Sequence, residues 1–207
     1  METKHEWRKK EKQYYLPNSK PEIVDIEEFK FIQLSGEGNP NSVEFSEAIG
    51  VLYSLAYAIK MMPRNGIDIY GYYDYVVYPL EGLWDLKEEA RGKEVLDKDK
   101  LVYTLMIRQP DFVTDEVFAK AMEIVKKKKL HNLLDSVSFG IAEEGKCVQM
   151  MHIGSFDEED KTFEVMKKFC NDNNIEIRSM IHREIYISNF RKTAKEKLKT
   201  VLRYMVK

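Results

Sequence analysis

One pattern recurs in this chain and constrains its fold more than any other. It is a β-like run, a glycine, a capped amphipathic helix, and then two further β-like runs. The first copy opens with Phe29-Lys30-Phe31-Ile32-Gln33-Leu34 and breaks at Ser35-Gly36-Glu37-Gly38-Asn39-Pro40. Asn41 with Glu44 three residues later forms a capping box. Phe45, Ala48, Ile49, Leu52, Leu55, Ala56 and Ile59 then hold a helical apolar stripe until Pro63 and Gly66 stop it. Residues 67–84 read as β-like, broken by Gly71 and Pro79, and Leu101 to Arg108 reads as a strand. A connecting helix over 114–130 starts at Thr114, has Asp115 and Glu116 in its first turn, and ends in Lys126 to Lys129. Cations suit a helix C-terminus, so that run reads as a solvated helix end.

The second copy repeats the order. Val137 to Ile141 and Cys147 to Ile153 suggest a hairpin around Glu144-Gly145. Ser155 and Glu158 form the capping box of a helix whose stripe is Phe163, Met166, Phe169 and Cys170, closed by Asn173 and Asn174. Strands follow at 179–188 and 200–206, with a short turn capped by Thr193 and Glu196 between them. Gly36 and Gly154 occupy the same step in the two copies. The expectation is an α+β fold of tandem, pseudo-twofold strand–helix–strand–strand modules with an antiparallel sheet. The copies span about 29–108 and 137–207, in a single domain over 29–207. Residues 1–28, polar and carrying Pro17 and Pro21, read as an N-terminal arm. A ligand cleft is expected where two such halves meet.

Composition narrows the function classes. The chain has 33 basic and 35 acidic residues and a net charge of −2, which argues against a polycationic nucleic-acid binder. Two cysteines make no disulfide framework, and the charged N-terminus makes no signal peptide, so a reduced, cytoplasmic setting is expected. No apolar run reaches the roughly 20 residues that span a bilayer. Aromatic side chains make up 12% of the residues, and Tyr70, Tyr72, Tyr73, Tyr75 and Tyr78 cluster before Pro79-Leu80-Glu81-Gly82-Leu83-Trp84. Tyrosines at both strand parities cannot all be core. Some are expected to wall a cleft for planar apolar or cationic molecules, through stacking and cation–π contact.

Gly36-Glu37-Gly38 lacks the third glycine of a dinucleotide fingerprint, and no Gly-Lys-Ser/Thr follows, which excludes a Walker loop. These glycines read as a tight turn before the helix. No cofactor is implied. His152, His182 and Glu184 match no metal-ligand spacing, so no metal is assigned. Glu184 matters more for another reason. In Met180 to Ser188, strand alternation sets Ile181, Arg183, Ile185 and Ile187 on one face and His182, Glu184 and Tyr186 on the other. The apolar set is expected to pack beneath the second helix, leaving the polar set facing the groove. There a carboxylate among aromatics can act as a general base or as counter-charge to a cation. The plainer alternative is a strand glutamate paired to a lysine.

Several motifs together resemble the GyrI-like small-molecule-binding domain family, and specifically its stand-alone bacterial members. They are Gly38-Asn39-Pro40, Phe45 to Gly50, Pro79 to Trp84, Arg108-Gln109-Pro110, His152 to Phe156, His182 to Tyr186, and the tail from Thr193 to Val206. Lys195 and Met205 stand where relatives often carry proline. The resemblance implies tandem modules with a central cleft. Members fused to a helix-turn-helix sense drugs, but about 28 residues before the first strand are too few for a DNA-reading head. Stand-alone relatives resemble hydrolases that open the cyclopropane of duocarmycin-type genotoxins. By that resemblance Glu184 is the catalytic residue and Trp84, Tyr103 and Tyr186 are aromatic walls. Glu81 and His152 are further substrate-binding candidates, and Tyr103, Tyr186 or His152 would stabilise the developing phenolate. The expected partners are hydrophobic planar or cationic small molecules, with no nucleic acid and no membrane. The alternatives are a non-catalytic drug-sequestering domain, or a topoisomerase-inhibiting protein for which Glu158-Glu159-Asp160 would be the acidic segment. That run more simply serves a helix N-terminus.

Overall fold

The computed structural model describes residues 4–92, 95–128 and 131–207. In chain order its elements are α1 (Trp7–Lys10), α2 (Lys12–Tyr15), β1 (Glu22–Ile26), β2 (Phe29–Glu37), α3 (Val43–Met61), β3 (Leu80–Leu86), β4 (Leu101–Gln109), α4 (Asp115–Lys128), β5 (Ser138–Ala142), β6 (Gly145–Ile153), α5 (Glu159–Asp172), β7 (Ile177–Tyr186) and β8 (Lys199–Val206). The fold is α+β, with antiparallel strand pairs throughout β1 to β8. Strand–helix–strand–strand does occur twice, as β2-α3-β3-β4 and as β6-α5-β7-β8. Among the described residues no helix is long and apolar enough to cross a membrane.

The chain divides into two compact units. The first takes the residues up to Glu6, Phe29–Leu80 and Leu86–Ala142, and the second takes Trp7–Glu28, Glu81–Asp85 and Glu143–Lys207. In the first unit β2 lies between β4 and β5, with α3 packed on β2 and β4 and α4 packed on α3. Ser42, one residue after the expected cap, accepts a hydrogen bond from the Phe45 amide at 3.1 Å and starts α3. Phe31, Ile32, Leu34, Leu52, Leu55, Ile59, Leu105 and Ile107 are buried there. Burial of such side chains contributes about 1.5–3 kcal/mol each before conformational entropy is set against it.

Three expectations change in detail. The tyrosine-rich segment forms no strand before Leu80, only a parallel bridge between His5 and Tyr75. Its tyrosines meet Phe112 instead, with Tyr72, Tyr73 and Tyr75 ring centroids 5.2, 5.2 and 5.8 Å from it, while Tyr70 is fully exposed. The proposed hairpin around Glu144-Gly145 does not form, because β5 pairs with β2 while β6 pairs with β1 and β8. Gly36 belongs to β2, opposite Tyr103, and the turn falls to Gly38 at φ +103°. Lys126 to Lys128 do end α4, and Lys129 lies outside the described residues.

The second unit orders its strands β1-β6-β8-β7-β3. Here α5 lays Phe163, Met166 and Cys170 on Val148 and Met150 of β6 and on Leu202, Tyr204 and Val206 of β8. Register then decides which face of β7 the helix covers, since His182 lies opposite Tyr204 and Glu184 opposite Leu202. So α5 packs over the His182–Glu184–Tyr186 face, the reverse of what alternation in β7 alone suggested. The other face is held by charge. Arg183 pairs with Glu81 at 2.6 Å and with Glu144 at 2.9 Å, and Arg203 pairs with Glu144 at 2.8 Å, with all four side chains buried. The segment expected to be a polar arm joins this face. Trp7 and Tyr15 are buried, β1 pairs with β6, and the Tyr14 carbonyl accepts from Arg203 at 2.8 Å.

Candidate functional site

Strand β7 places the candidate site because it runs between β3 and β8. Gly82 of β3 lies opposite Glu184, and Trp84 lies opposite His182. Gly82 has no side chain, and the Trp84 indole fills that space. A Cβ at position 82 would sit 2.7 Å from Trp84 Nε1 and 3.3 Å from the Tyr186 hydroxyl. Trp84 Nε1 therefore donates to the Tyr186 hydroxyl at 2.8 Å, and that hydroxyl donates to Glu184 Oε2 at 2.8 Å. His182 Nε2 lies 3.2 Å from Glu184 Oε1. Two strands thus hold one carboxylate through an indole–phenol relay and an imidazole.

The helix adds a second carboxyl. Glu159, the first residue of α5, sits one turn before Phe163, whose ring stacks edge-on against His182 at 4.6 Å. Glu159 is 6% exposed and Glu184 is 9% exposed, and the two carboxyls lie within hydrogen-bonding reach of each other. Burial pushes the Glu159 carboxyl well above its ordinary range, and the Glu184 carboxylate adds to the shift. Burial also lifts the Tyr186 phenol well above its ordinary value, with the neighbouring Glu184 and Glu159 carboxyls adding to the shift, so it remains a hydrogen-bond donor. Glu159 Oε1 and Thr200 Oγ1 are buried without a well-formed hydrogen bond of their own. On the outer side, Phe156 and Phe190 meet Tyr186 at 5.8 and 6.5 Å and stay more than a third exposed.

Of the residues picked from the sequence, Glu184, Trp84 and Tyr186 come together. Glu81 instead faces the opposite side of the sheet in its ion pair with Arg183, where burial lifts its carboxyl above the ordinary range despite that partner. His152 is buried with Nδ1 2.8 Å from Thr162 Oγ1 and Nε2 3.0 Å from the Ser155 carbonyl, so both ring nitrogens are engaged. Tyr103 lies in the first unit, edge-on to Phe45 at 5.0 Å and packed over Gly36. Among the described residues no group of three or more His, Cys, Asp or Glu side chains is placed to hold a metal ion. Sequence reasoning missed Glu159, Thr200, Phe156 and Phe190. For Glu159 a signal existed, because a carboxyl one helical turn before Phe163 extends the apolar stripe towards the sheet.

Residues 19–207 match the family model of the GyrI-like small molecule binding domain. The chain belongs to this family. Two solved proteins from Listeria innocua resemble it along nearly its whole length. One is named a hydrolase, with 38% identity, coverage of 99% of this chain and 100% of that one, and a TM-score of 0.89. The other is named an uncharacterized conserved protein, with 40% identity, the same coverage and a TM-score of 0.90. The EcmrR C-terminal domain shares the fold at 12% identity and a TM-score of 0.57, covering 91% of this chain and 97% of that one. No curated protein matches the chain.

Proposed function

We propose that this GyrI-like domain is a hydrolase for planar, strained electrophiles of the cyclopropanoid class, with Glu184 as its general base. The observation that carries this reading is the Glu184 carboxylate, oriented by His182 and by Tyr186, which Trp84 in turn holds. The similarity to a Listeria protein named a hydrolase supports a hydrolytic reaction over simple binding. Phe156 and Phe190 supply exposed flat aromatic surface for a planar ligand, with the half-buried Tyr186 and the buried Trp84 behind them.

The chemistry asks little beyond a placed base. Glu184 takes a proton from water as the water oxygen bonds to the cyclopropyl methylene carbon. The ring carbon–carbon bond breaks, and its electron pair passes through the conjugated system to the carbonyl oxygen, which becomes a phenolate. The phenolate then takes up a proton, so the product is the substrate plus one water. Ring strain supplies much of the driving force, and general-base assistance contributes about 10²–10⁴-fold.

The test is product mass after incubation with a duocarmycin-type cyclopropane. The wild-type protein is expected to add one water, and Glu184→Gln to lose turnover while still binding the compound. Binding without any mass change in the wild-type protein would reduce the domain to a drug-sequestering one. Undiminished turnover in Glu184→Gln would remove Glu184 from the mechanism.

A further inference from the structure

We propose that Glu159 and Glu184 share a single proton, with Glu159 carrying it as the hydrogen-bond donor that fixes the Glu184 carboxylate. The inference rests on the reading of Glu184 as the base, and it makes Glu159 a positioning residue.

The geometry leaves few other ways to satisfy the pair. Both carboxyls are buried, one on the first turn of α5 and the other on β7, and each lies within reach of the other. Glu184 already accepts from Tyr186 at Oε2 and faces His182 at Oε1. Among the described residues neither carboxylate pairs with a lysine or arginine. The groups around the pair are His182 and Tyr186 from β7, Thr200 from β8, His152 from the adjoining position of β6, and Asp160 from the helix itself. Asp160 adds negative charge. Glu159 Oε1 has no well-formed hydrogen bond, and among the described residues the Thr200 hydroxyl is the one neutral donor near that carboxyl, so two ionised carboxyls here would face each other with little to offset their repulsion. A helix N-terminus favours an anion, but only modestly against the burial of two like charges side by side. One proton resolves the conflict, and carboxyls this close titrate in two macroscopic steps that belong to the pair.

In turnover the singly protonated pair has one acceptor, Glu184, and its rotamer is locked from three sides. When Glu184 takes the water proton the pair becomes neutral, and it returns one proton to solvent or to the phenolate to complete the cycle. The substrate then meets one negative charge where two glutamates stand.

The experiment is a carboxyl titration of the ligand-free full chain by NMR with ¹³C-labelled glutamate, alongside Glu159→Gln, Glu159→Ala and Glu184→Gln. The wild type is expected to show two carboxyls whose resonances each report both steps, and Glu184→Gln to collapse the Glu159 response to one step. Glu159 and Glu184 titrating independently, each unmoved by substitution of the other, would overturn the proposal. On turnover, Glu159→Ala is expected to lower kcat by about a hundredfold with KM little changed, as for a misplaced catalytic group. Glu159→Gln, whose amide N–H still donates to Glu184, is expected to recover most of that loss and to drop the upper step from the pH profile. Equal losses in both variants would argue against a donor role. If Glu159→Ala does not fold, Glu159→Gln and the titration still decide. The titration needs no substrate, so failure of the hydrolase reading and failure of the shared proton are told apart.

Discussion

Gly82 shows how the candidate site depends on what one residue lacks. The Trp84 indole lies over it, and the contact of an added Cβ with Trp84 Nε1, at 2.7 Å, is too close for a real side chain. A methyl group there must push the indole aside, and the Tyr186 hydroxyl then loses the donor that sets its direction towards Glu184. Gly82→Ala is therefore expected to cost about 1–3 kcal/mol by overpacking and to weaken ligand binding as well. The urea midpoint reads the first effect. Trp84 fluorescence in a Trp7→Phe background reads the second, because Trp7 is the other tryptophan. A variant with unchanged midpoint and unchanged ligand quenching would show that Trp84 does not depend on that space.

Strand β7 is polar on both faces in its middle, and the two faces do different work. His182, Glu184 and Tyr186 meet α5, whereas Arg183 anchors a buried network with Glu81, Glu144 and Arg203. Burial alone would raise the Glu144 carboxyl, but the Arg183 and Arg203 guanidiniums together outweigh it and hold Glu144 below the ordinary range. A carboxyl depressed in the folded state contributes stability above its unfolded value, about pH 4.3, and that contribution is lost as pH falls through the folded value. Glu81, raised in the folded state, works in the opposite sense and loses its contribution as pH rises. Glu144→Gln is expected to cost about 3–5 kcal/mol near neutrality, because two buried guanidiniums lose their shared partner. It should also flatten the acid limb of stability against pH in denaturant titrations. A variant as stable as wild type at pH 7 would show the network to be dispensable. These elements also mark what the sequence could tell. Alternation placed His182, Glu184 and Tyr186 on one face, and the stripe of α5 was plain from Phe163, Met166 and Cys170. Which face met the helix was not legible, because it is set by the register of β7 on β8, and single-strand periodicity carries no register. The signal for Glu159, its place one turn before Phe163 on the apolar stripe, was masked because an acidic residue in a first helical turn has an ordinary explanation in the helix dipole.

At the scale of the whole chain, the second unit is assembled from three separated stretches, Trp7–Glu28, Glu81–Asp85 and Glu143–Lys207. The last stretch supplies α5 and its entire buried cluster, from Val148 to Val206, so by hydrophobic burial alone it resembles a small domain. Its other face argues otherwise. Gln149 needs the Gln13 carbonyl and Glu22, Arg203 needs the Tyr14 carbonyl, and Arg183 needs Glu81, all supplied by the other two stretches. Strands β6 and β7 would also lose β1 and β3, leaving two open edges. A chain of about 60 residues buries only about 60% of the surface its unfolded form exposes, so it has little stability to set against unpaired buried guanidinium groups. The isolated segment 143–207 is therefore expected to lack a cooperative unfolding transition by circular dichroism and to give poorly dispersed amide NMR signals. Joining Trp7–Glu28 to it should restore part of the dispersion, through β1 on β6 and the Tyr14 and Gln13 carbonyls. Full dispersion in 143–207 alone would mean that the α5 core suffices and that the charged face is an accessory to the fold. The expected dependence on the early segment would make residues 7–28 a structural part of the unit that carries Glu184.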